Sequence, residues 1–374
     1  MNKKDVLEIR KQFSNENCTI SRICGCYVDG EKEKKLEFKE AFLSLPEDEI
    51  FKYYELFKKT LSGTMGKNLI NMEFPLNQEF NGGTQEFLLK LRDSRLTDDM
   101  LLEEFYDNVI ENYDFGEHYL ILLIHAAYDI PGKSKDGLEM FDASDSVYEY
   151  VLCSICPVAL SKAGLCYNAL NNSIEDRIRD WIVNPPANGF LFPAFEERET
   201  NLHSMLYYSK KPEELKDLFI ENVLGCKEVM TAKTQKESFQ NIVSSTLDEE
   251  CDYTVIKSIH DNLNEMIERN KEEDTPLELG KHEVKRLLTE SGVPTEKLEH
   301  FEKDFEENTT ESNSFLATNI TDTRKFDIKT ADVSVKVSPD RTDLVEIQTV
   351  NGRQCLVIPI EGMIEVNGMP VNAK

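Results

Sequence analysis

The chain has 374 residues, enough for two or three units that each bury a core. With 40% hydrophobic and 30% charged residues it has the composition of a soluble globular protein, which excludes a fibrous or disordered chain. Asp and Glu number 70 against 43 Lys and Arg, a net charge of -27 that repels phosphate backbones and anionic membranes at long range, so nucleic-acid binding would need a local basic patch.

The opening MNKKDVLEIRKQF carries charges throughout and no apolar h-region, which predicts no signal peptide. Nine cysteines, an odd number, are scattered through the chain; this fits reduced thiols in a cytoplasm better than a disulfide framework. ISRICGCYV reads as a strand, and Asp29-Gly30 turns it into a return strand. Ser44 before Pro46-Glu47-Asp48 predicts a capped helix start, and Phe51, Tyr54, Leu56, Phe57 and Leu61 follow at helical spacing. Lys67–Phe74 reads as a strand. Thr97 caps a helix carrying Leu101, Leu102, Phe105, Val109 and Ile110. The most apolar run, YLILLIHAAY over 119–128, is about half of the roughly 20 residues a membrane helix needs and reads as a buried strand. Short strands follow at Val151–Leu160, Gly189–Phe195 and Leu202–Tyr208.

From Ser209 the pattern becomes helical. Pro212-Glu213-Glu214 opens a helix with Leu215, Leu218, Phe219 and Val223 on one face and Gly225 after its end. Thr234-Gln-Lys-Glu237 reads as a capping box for a helix bearing Phe239, Ile242, Val243 and Leu247. Asp252 starts another, and Lys281–Glu290 and Thr295–Phe305 fit shorter ones. Glu307–Asn313 reads as a linker. Beyond it Val333, Val335 and Val337 alternate with polar residues, and VEIQTV and RQCLVIPI flank Asn351-Gly352, a strong hairpin signal. The predicted fold class is α+β: a mixed α/β domain over 1–208, a helical region over 209–306, and a linker with C-terminal β-hairpins over 307–374.

No stretch carries a complete catalytic or metal motif. Cys24 and Cys26 are two apart on a strand, so both thiols face one side, with Cys18 at the strand's start; zinc sites want two paired knuckles. Cys153-Ser-Ile-Cys156 is a formal CxxC, but on a strand that spacing sends the thiols to opposite faces, and no helix N-terminus is there to activate them. SGTMGKN over 62–68 lacks the first glycine and the final hydroxyl of a phosphate loop, and reads as a helix end leading into a strand. His118 and His125 are seven apart and tend to opposite faces; His203 reads as structural. No catalytic residue, cofactor or metal is expected, and oligomeric state is left open.

ISRICGCYVDGEKEK, CSICPVALSKAGLCYN, RIRDWIVNPPANGFLFPAFEER and LYYSKK resemble an uncharacterised family of low-GC Gram-positive bacteria, known only as a domain of unknown function. LFIENVLGCKEVMTAKTQKESFQNIV is similar to a helix–LGxxE–turn–helix segment of the bacterial nucleoid-associated protein family. YYELFKKTLSGTMGKNLINMEF, QEFLLKLRDS, HYLILLIHAAYDI and a tail ending in IEVNGMPV follow in the same order. That resemblance implies a cytoplasmic protein found with the chromosome and using no cofactor. The leading expectation is thus a non-enzymatic, DNA-linked protein, with Lys227, Lys233 and Lys236 as candidate contacts to DNA phosphates around the start of a helix. The alternative is an interaction module whose acidic surface binds a basic protein; the third is an enzyme of unrecognised type. No membrane partner is expected.

Overall fold

The computed structural model describes the chain apart from Asn81 and residues 134–138, 249–251, 310–313, 361–363, 367–368 and 372–374. Helices and sheets are both present, an α+β class, and the chain divides into two compact units, Met1–Ala232 and Lys233–Lys374.

In the first unit, helix α1 (Lys3–Lys11) starts from a capping box not expected from the sequence: the Asn2 side chain accepts from the Asp5 backbone, and Asp5 accepts from Asn2 in return. The strands β1 (Ile20–Val28) and β2 (Lys34–Ala41) pair antiparallel around the predicted turn, where Asp29 accepts backbone bonds from Glu31 and Glu33. At Gly25 a methyl group would fall 2.2 Å from the Phe38 ring, so the ring lies on the glycine and covers it. Helix α2 spans Glu47–Thr60. Ser44 does not cap it: Pro46 holds the N-cap position and forces Leu45 to be extended, leaving the Ser44 hydroxyl to bond Ala41. Strand β3 (Leu69–Glu73), helices α3 (Thr84–Asp93) and α4 (Asp99–Asn112) follow. Asp98, not Thr97, caps α4, because its carboxylate accepts from both Met100 and Leu101 at the positive helix end, while Thr97 bonds Ser94.

The long strands β4 (Tyr119–Lys133) and β5 (Glu139–Leu160) form the middle of the sheet. A hairpin of β6 (Leu165–Asn168) and β7 (Ser173–Asp176), then β8 (Trp181–Val183), lead to β9 (Asn188–Phe192), β10 (Ala194–Glu196), β11 (Glu199–Asn201) and β12 (Ser204–Ser209). The main sheet runs β2-β1-β4-β5-β9-β12-β3 with every neighbour antiparallel, and β8 pairs only with the end of β5.

Both faces of the central strands of this sheet are buried. On one, Cys24, Cys26, Ile121, Cys153 and Phe190 pack against α3, α4 and residues 219–224. On the other, Ile23, Leu122, Ile124 and Cys156 pack against α1 and α2. Burial on two faces explains why the central strands read as continuous apolar runs. It also places Cys153 and Cys156 in different cores, as their spacing requires. Cys24 and Cys26 share one core.

The segment after β12 does not begin a helix at Pro212. Residues 211–214 are turns and bends, and helical residues start at Asp217, widening into a π-helical stretch Phe219–Leu224. The wider turn puts Phe219, Ile220, Val223 and Leu224 all inside, while Leu218, expected on the inner face, is exposed. Gly225 ends it with φ +62°, and an added Cβ would also meet Thr84 at 2.6 Å, so both backbone and space select glycine. These residues pack on the core of the first unit.

In the second unit, α5 spans Ala232–Leu247, so Thr234 lies inside the first turn rather than capping from outside. The buried Gln235 fixes that start: its side-chain oxygen accepts from the Leu316 backbone and from Asn319. Helix α6 (Tyr253–Arg269) follows Asp252, then β13 (Glu278–Gly280), α7 (Lys281–Glu290) and α8 (Phe301–Asn308). Strand β14 (Ser314–Leu316) pairs with β13 and leads into the short α9 (Ala317–Ile320). Of the expected linker, Glu307 and Asn308 belong to α8 and residues 310–313 lie outside the described residues. Three hairpins complete the unit: β15 (Phe326–Lys329) with β16 (Ser334–Val337), β17 (Glu346–Val350) with β18 (Arg353–Val357), and β19 (Ile364–Val366) with β20 (Met369–Val371). Asn351 and Gly352 both have positive φ, as the middle of a two-residue hairpin turn demands.

Candidate functional site

Of the thiols flagged in the sequence, Cys24, Cys26, Cys153 and Cys156 are buried in the two cores, while Cys18 and Cys166 are half-buried. Burial pushes Cys24 and Cys26 up to about 12, and Cys153, Cys156 and Cys226 rise for the same reason, so these thiols stay protonated and unreactive at neutral pH. His125 is buried; its Nδ1 lies 2.7 Å from the Ser21 hydroxyl, and burial lowers its pKa against the opposing pull of Glu149. His203 is exposed and pairs with Glu79 at 2.8 Å. Among the described residues, no group of three or more His, Cys, Asp or Glu side chains could hold a metal ion. No described helix is long and apolar enough to cross a membrane.

The three candidate lysines divide between the units. Lys227 is half-buried in the first, where its backbone N–H donates to the Glu73 carbonyl at 3.1 Å. Lys233 and Lys236 are exposed on the first turns of α5 in the second, with Lys233 3.9 Å from Glu237. Lys236 also edges a groove of about 600 Å³ between α5 and α6. There His260 is fixed between Thr321, 3.0 Å from Nδ1, and Asn264, 2.9 Å from Nε2, and its ring lies tilted against Phe326.

The most distinctive surface of the first unit is one that sequence patterning did not single out. Residues 158–183 leave the sheet as a two-stranded arm. Leu160 pairs with Trp181 at its base. The Ser161 N–H then donates to Asp180, and the Arg177 N–H to Gly164, carrying the pairing outward to β6 and β7. Leu165 lies opposite Asp176 and Tyr167 opposite Ile174, which puts three apolar side chains on one face together with the exposed Asp176 carboxylate. Among the described residues nothing covers that face: Leu165 is 76% exposed, and Leu170 at the tip and Ile178 are 96% and 84% exposed. Alternation of Leu165 and Tyr167 ahead of Asn171-Asn172 was the sequence signal for this hairpin.

At the base of the arm, Trp181 lies against His118 at 4.2 Å between ring centroids, the rings tilted by 35°, and His118 in turn stacks on Tyr27. Beside this strip lies an apolar trough of about 610 Å³, walled by Tyr53, Leu56, Leu120, Val183 and Pro185. Its rim carries Asp48, Glu49 and Glu55 together with Lys52 and Lys59. Arm and trough provide apolar area and placed charges, a surface suited to binding.

Comparison with curated proteins gives no match. A family model does match, described as "Domain of unknown function (DUF4317)", over residues 1–369. The chain therefore belongs, along nearly its whole length, to the DUF4317 family.

Proposed function

We propose that the protein is a non-enzymatic cytoplasmic interaction module that recognises a protein partner through the arm of its first unit. The observation that carries this reading is the uncovered apolar face of Leu165, Tyr167 and Ile174 with Leu170 at the tip. A lone two-stranded hairpin is marginally stable in water, and an apolar face on it favours cover by another surface. The test is crosslinking in native cells followed by mass spectrometry. Inter-protein crosslinks should concentrate on residues 160–183; an arm without them, while crosslinks gather elsewhere, would refute the reading.

Association with the bacterial nucleoid is the second reading. It is supported by the resemblance of residues 218–243 and by the exposure of Lys233 and Lys236 near the positive end of α5. Glu237 beside Lys233 and the net charge of -27 weigh against it. Co-purification with and without nuclease separates the two, because nuclease-sensitive recovery points to DNA. Changing Lys227, Lys233 and Lys236 to Gln should then flatten the salt dependence of binding, by up to roughly 0.9 in log–log slope for each phosphate no longer neutralised.

A further inference from the structure

We infer that the apolar face of the arm receives an arginine side chain of a partner protein, held between the ring of Tyr167 and the carboxylate of Asp176, with apolar partner residues on either side of it. This rests on the reading of the arm as an interaction surface, and states the chemistry that its partner carries.

Leu165 faces Asp176 across the arm and Tyr167 faces Ile174, so these side chains form one patch on one face. All of them are exposed. Among the described residues no hydrogen bond or ion pair engages the Asp176 carboxylate. Its neighbour Glu175, on the opposite face, is satisfied within the hairpin by Ser173, Asn168 and Asn171. Arg177, the next residue after Asp176, falls on that opposite face by the same alternation. The Arg179 Nε donates to the Ser161 carbonyl at 2.7 Å.

A surface that covers Leu165, Tyr167 and Ile174 also covers Asp176, which stands among them. Taking a carboxylate out of water without a partner is costly. The cover therefore brings a cation along with its apolar area. A phosphate backbone, an acidic protein and a second copy of this same face all fail that requirement. The net charge of -27 acts in the same sense, because it draws a basic partner from a distance.

Tyr167 selects arginine over lysine. Its hydroxyl donates to Asn172 Oδ1 at 3.0 Å, which holds the ring beside the turn, and the residue stays 62% exposed. Tyr167 and Asp176 are diagonal neighbours across the two strands, roughly 7–8 Å apart, within reach of one long side chain. A planar guanidinium stacks on an aromatic ring while its fork meets a carboxylate; an ammonium offers a point charge alone. Leu165 and Ile174, on the other diagonal, supply the apolar flanks. Free arginine leaves those flanks wet, so the ligand is an arginine within a protein segment.

Methyl NMR on the full chain tests this, with the peptide acetyl-Leu-Ser-Arg-Ser-Leu-amide as probe. In extended form it sets leucine, arginine and leucine on one side, about 7 Å apart. The methyl signals of Leu165 and Ile174 should shift, and those of the sheet core should not. Citrulline in place of the arginine keeps the shape and removes the charge, and should weaken binding about tenfold, the ion pair and the ring contact each contributing a few fold. Asp176→Asn and Tyr167→Leu should each cut that preference to about threefold. Both positions are exposed, and unmoved core methyl signals will show that the variants fold. A lysine peptide should bind more weakly than the arginine one. Equal binding of the arginine and citrulline peptides at the arm overturns the inference but leaves the arm standing as an interaction surface. A tenfold preference that survives either variant, or a lysine peptide that matches the arginine one, overturns it as well. So do shifts that bypass the arm; crosslinks to residues 160–183 in native cells then decide whether the broader reading stands.

Discussion

Asn188 joins three elements of the first unit through one buried amide, and its replacement by leucine separates hydrogen bonding from packing. Its side-chain oxygen accepts from the Tyr113 hydroxyl at 2.7 Å, and its NH₂ donates to the Tyr207 hydroxyl at 2.8 Å, with Ser209 at 3.4 Å. Leucine has similar bulk but takes both bonds away. The Tyr113 hydroxyl is then buried without its acceptor, at a cost of about 1–3 kcal/mol. Tyr207 still accepts from the Lys216 backbone, so its share falls nearer 1 kcal/mol. Asn188→Leu should therefore destabilise the first unit by about 2–4 kcal/mol. The single tryptophan, Trp181, lies in that unit, so urea unfolding followed by its fluorescence reports this unit rather than the second. With a urea slope of about 1–3 kcal/mol/M, the midpoint should drop by roughly 1–2 M. Adding Tyr113→Phe should then recover part of the loss, because it removes the orphaned hydroxyl. A loss below about 0.5 kcal/mol for Asn188→Leu, or a purely additive further loss from Tyr113→Phe, would show that the amide network is not what joins these elements.

Three further outcomes are expected. His125 is held neutral by burial, so as pH falls below about 6.5 the unfolded chain takes up the proton before the folded one, and the first unit should lose stability down to the lowered folded pKa; a His125→Gln variant should show a shallower acid slope in urea midpoints than wild type. Phe38→Ala uncovers Gly25 and removes a half-buried ring, which should cost about 1–3 kcal/mol by thermal or urea unfolding, with β1 and β2 amides exchanging faster. Mass spectrometry after brief iodoacetamide treatment of the native protein should find label on the half-buried Cys18, Cys166 and Cys355 well before Cys24, Cys26, Cys153, Cys156 or Cys226.

The parts of the fold that were legible in the sequence are those where one physical signal dominated. β4 and the second half of β5 are apolar on both faces, so 119–128 and 151–160 announced themselves. Asn351-Gly352 left a single choice of turn. Boundaries failed where neighbouring groups competed for one role, as with Thr97 against Asp98 and Ser44 against Pro46. They failed again where tertiary burial set local geometry: the widened helix at Phe219–Leu224 follows from the core it enters, and the α5 start from Gln235 reaching β14 and α9. The arm was missed for a different reason. Its apolar residues are spaced among Asn, Ser and Arg as in a loop, the alternation of Leu165 and Tyr167 is too short to mark a strand by itself, and the register of β6 with β7 shows that these two share a face with Ile174. For the candidate lysines, spacing along the chain said nothing about which compact unit each would join.

The position of β3 sets a schedule for making the protein. β3 ends at Glu73, yet among the described strands its one neighbour in the sheet is β12, which spans Ser204–Ser209. At roughly 5–20 residues per second on the ribosome, the emerging β3 waits on the order of ten seconds for that partner. During this interval Leu69, Ile70 and Met72, all buried in the finished fold, have no strand to pair with. The first unit can close only late in its own synthesis, so residues 69–73 are where a holding chaperone would matter most to a nascent chain.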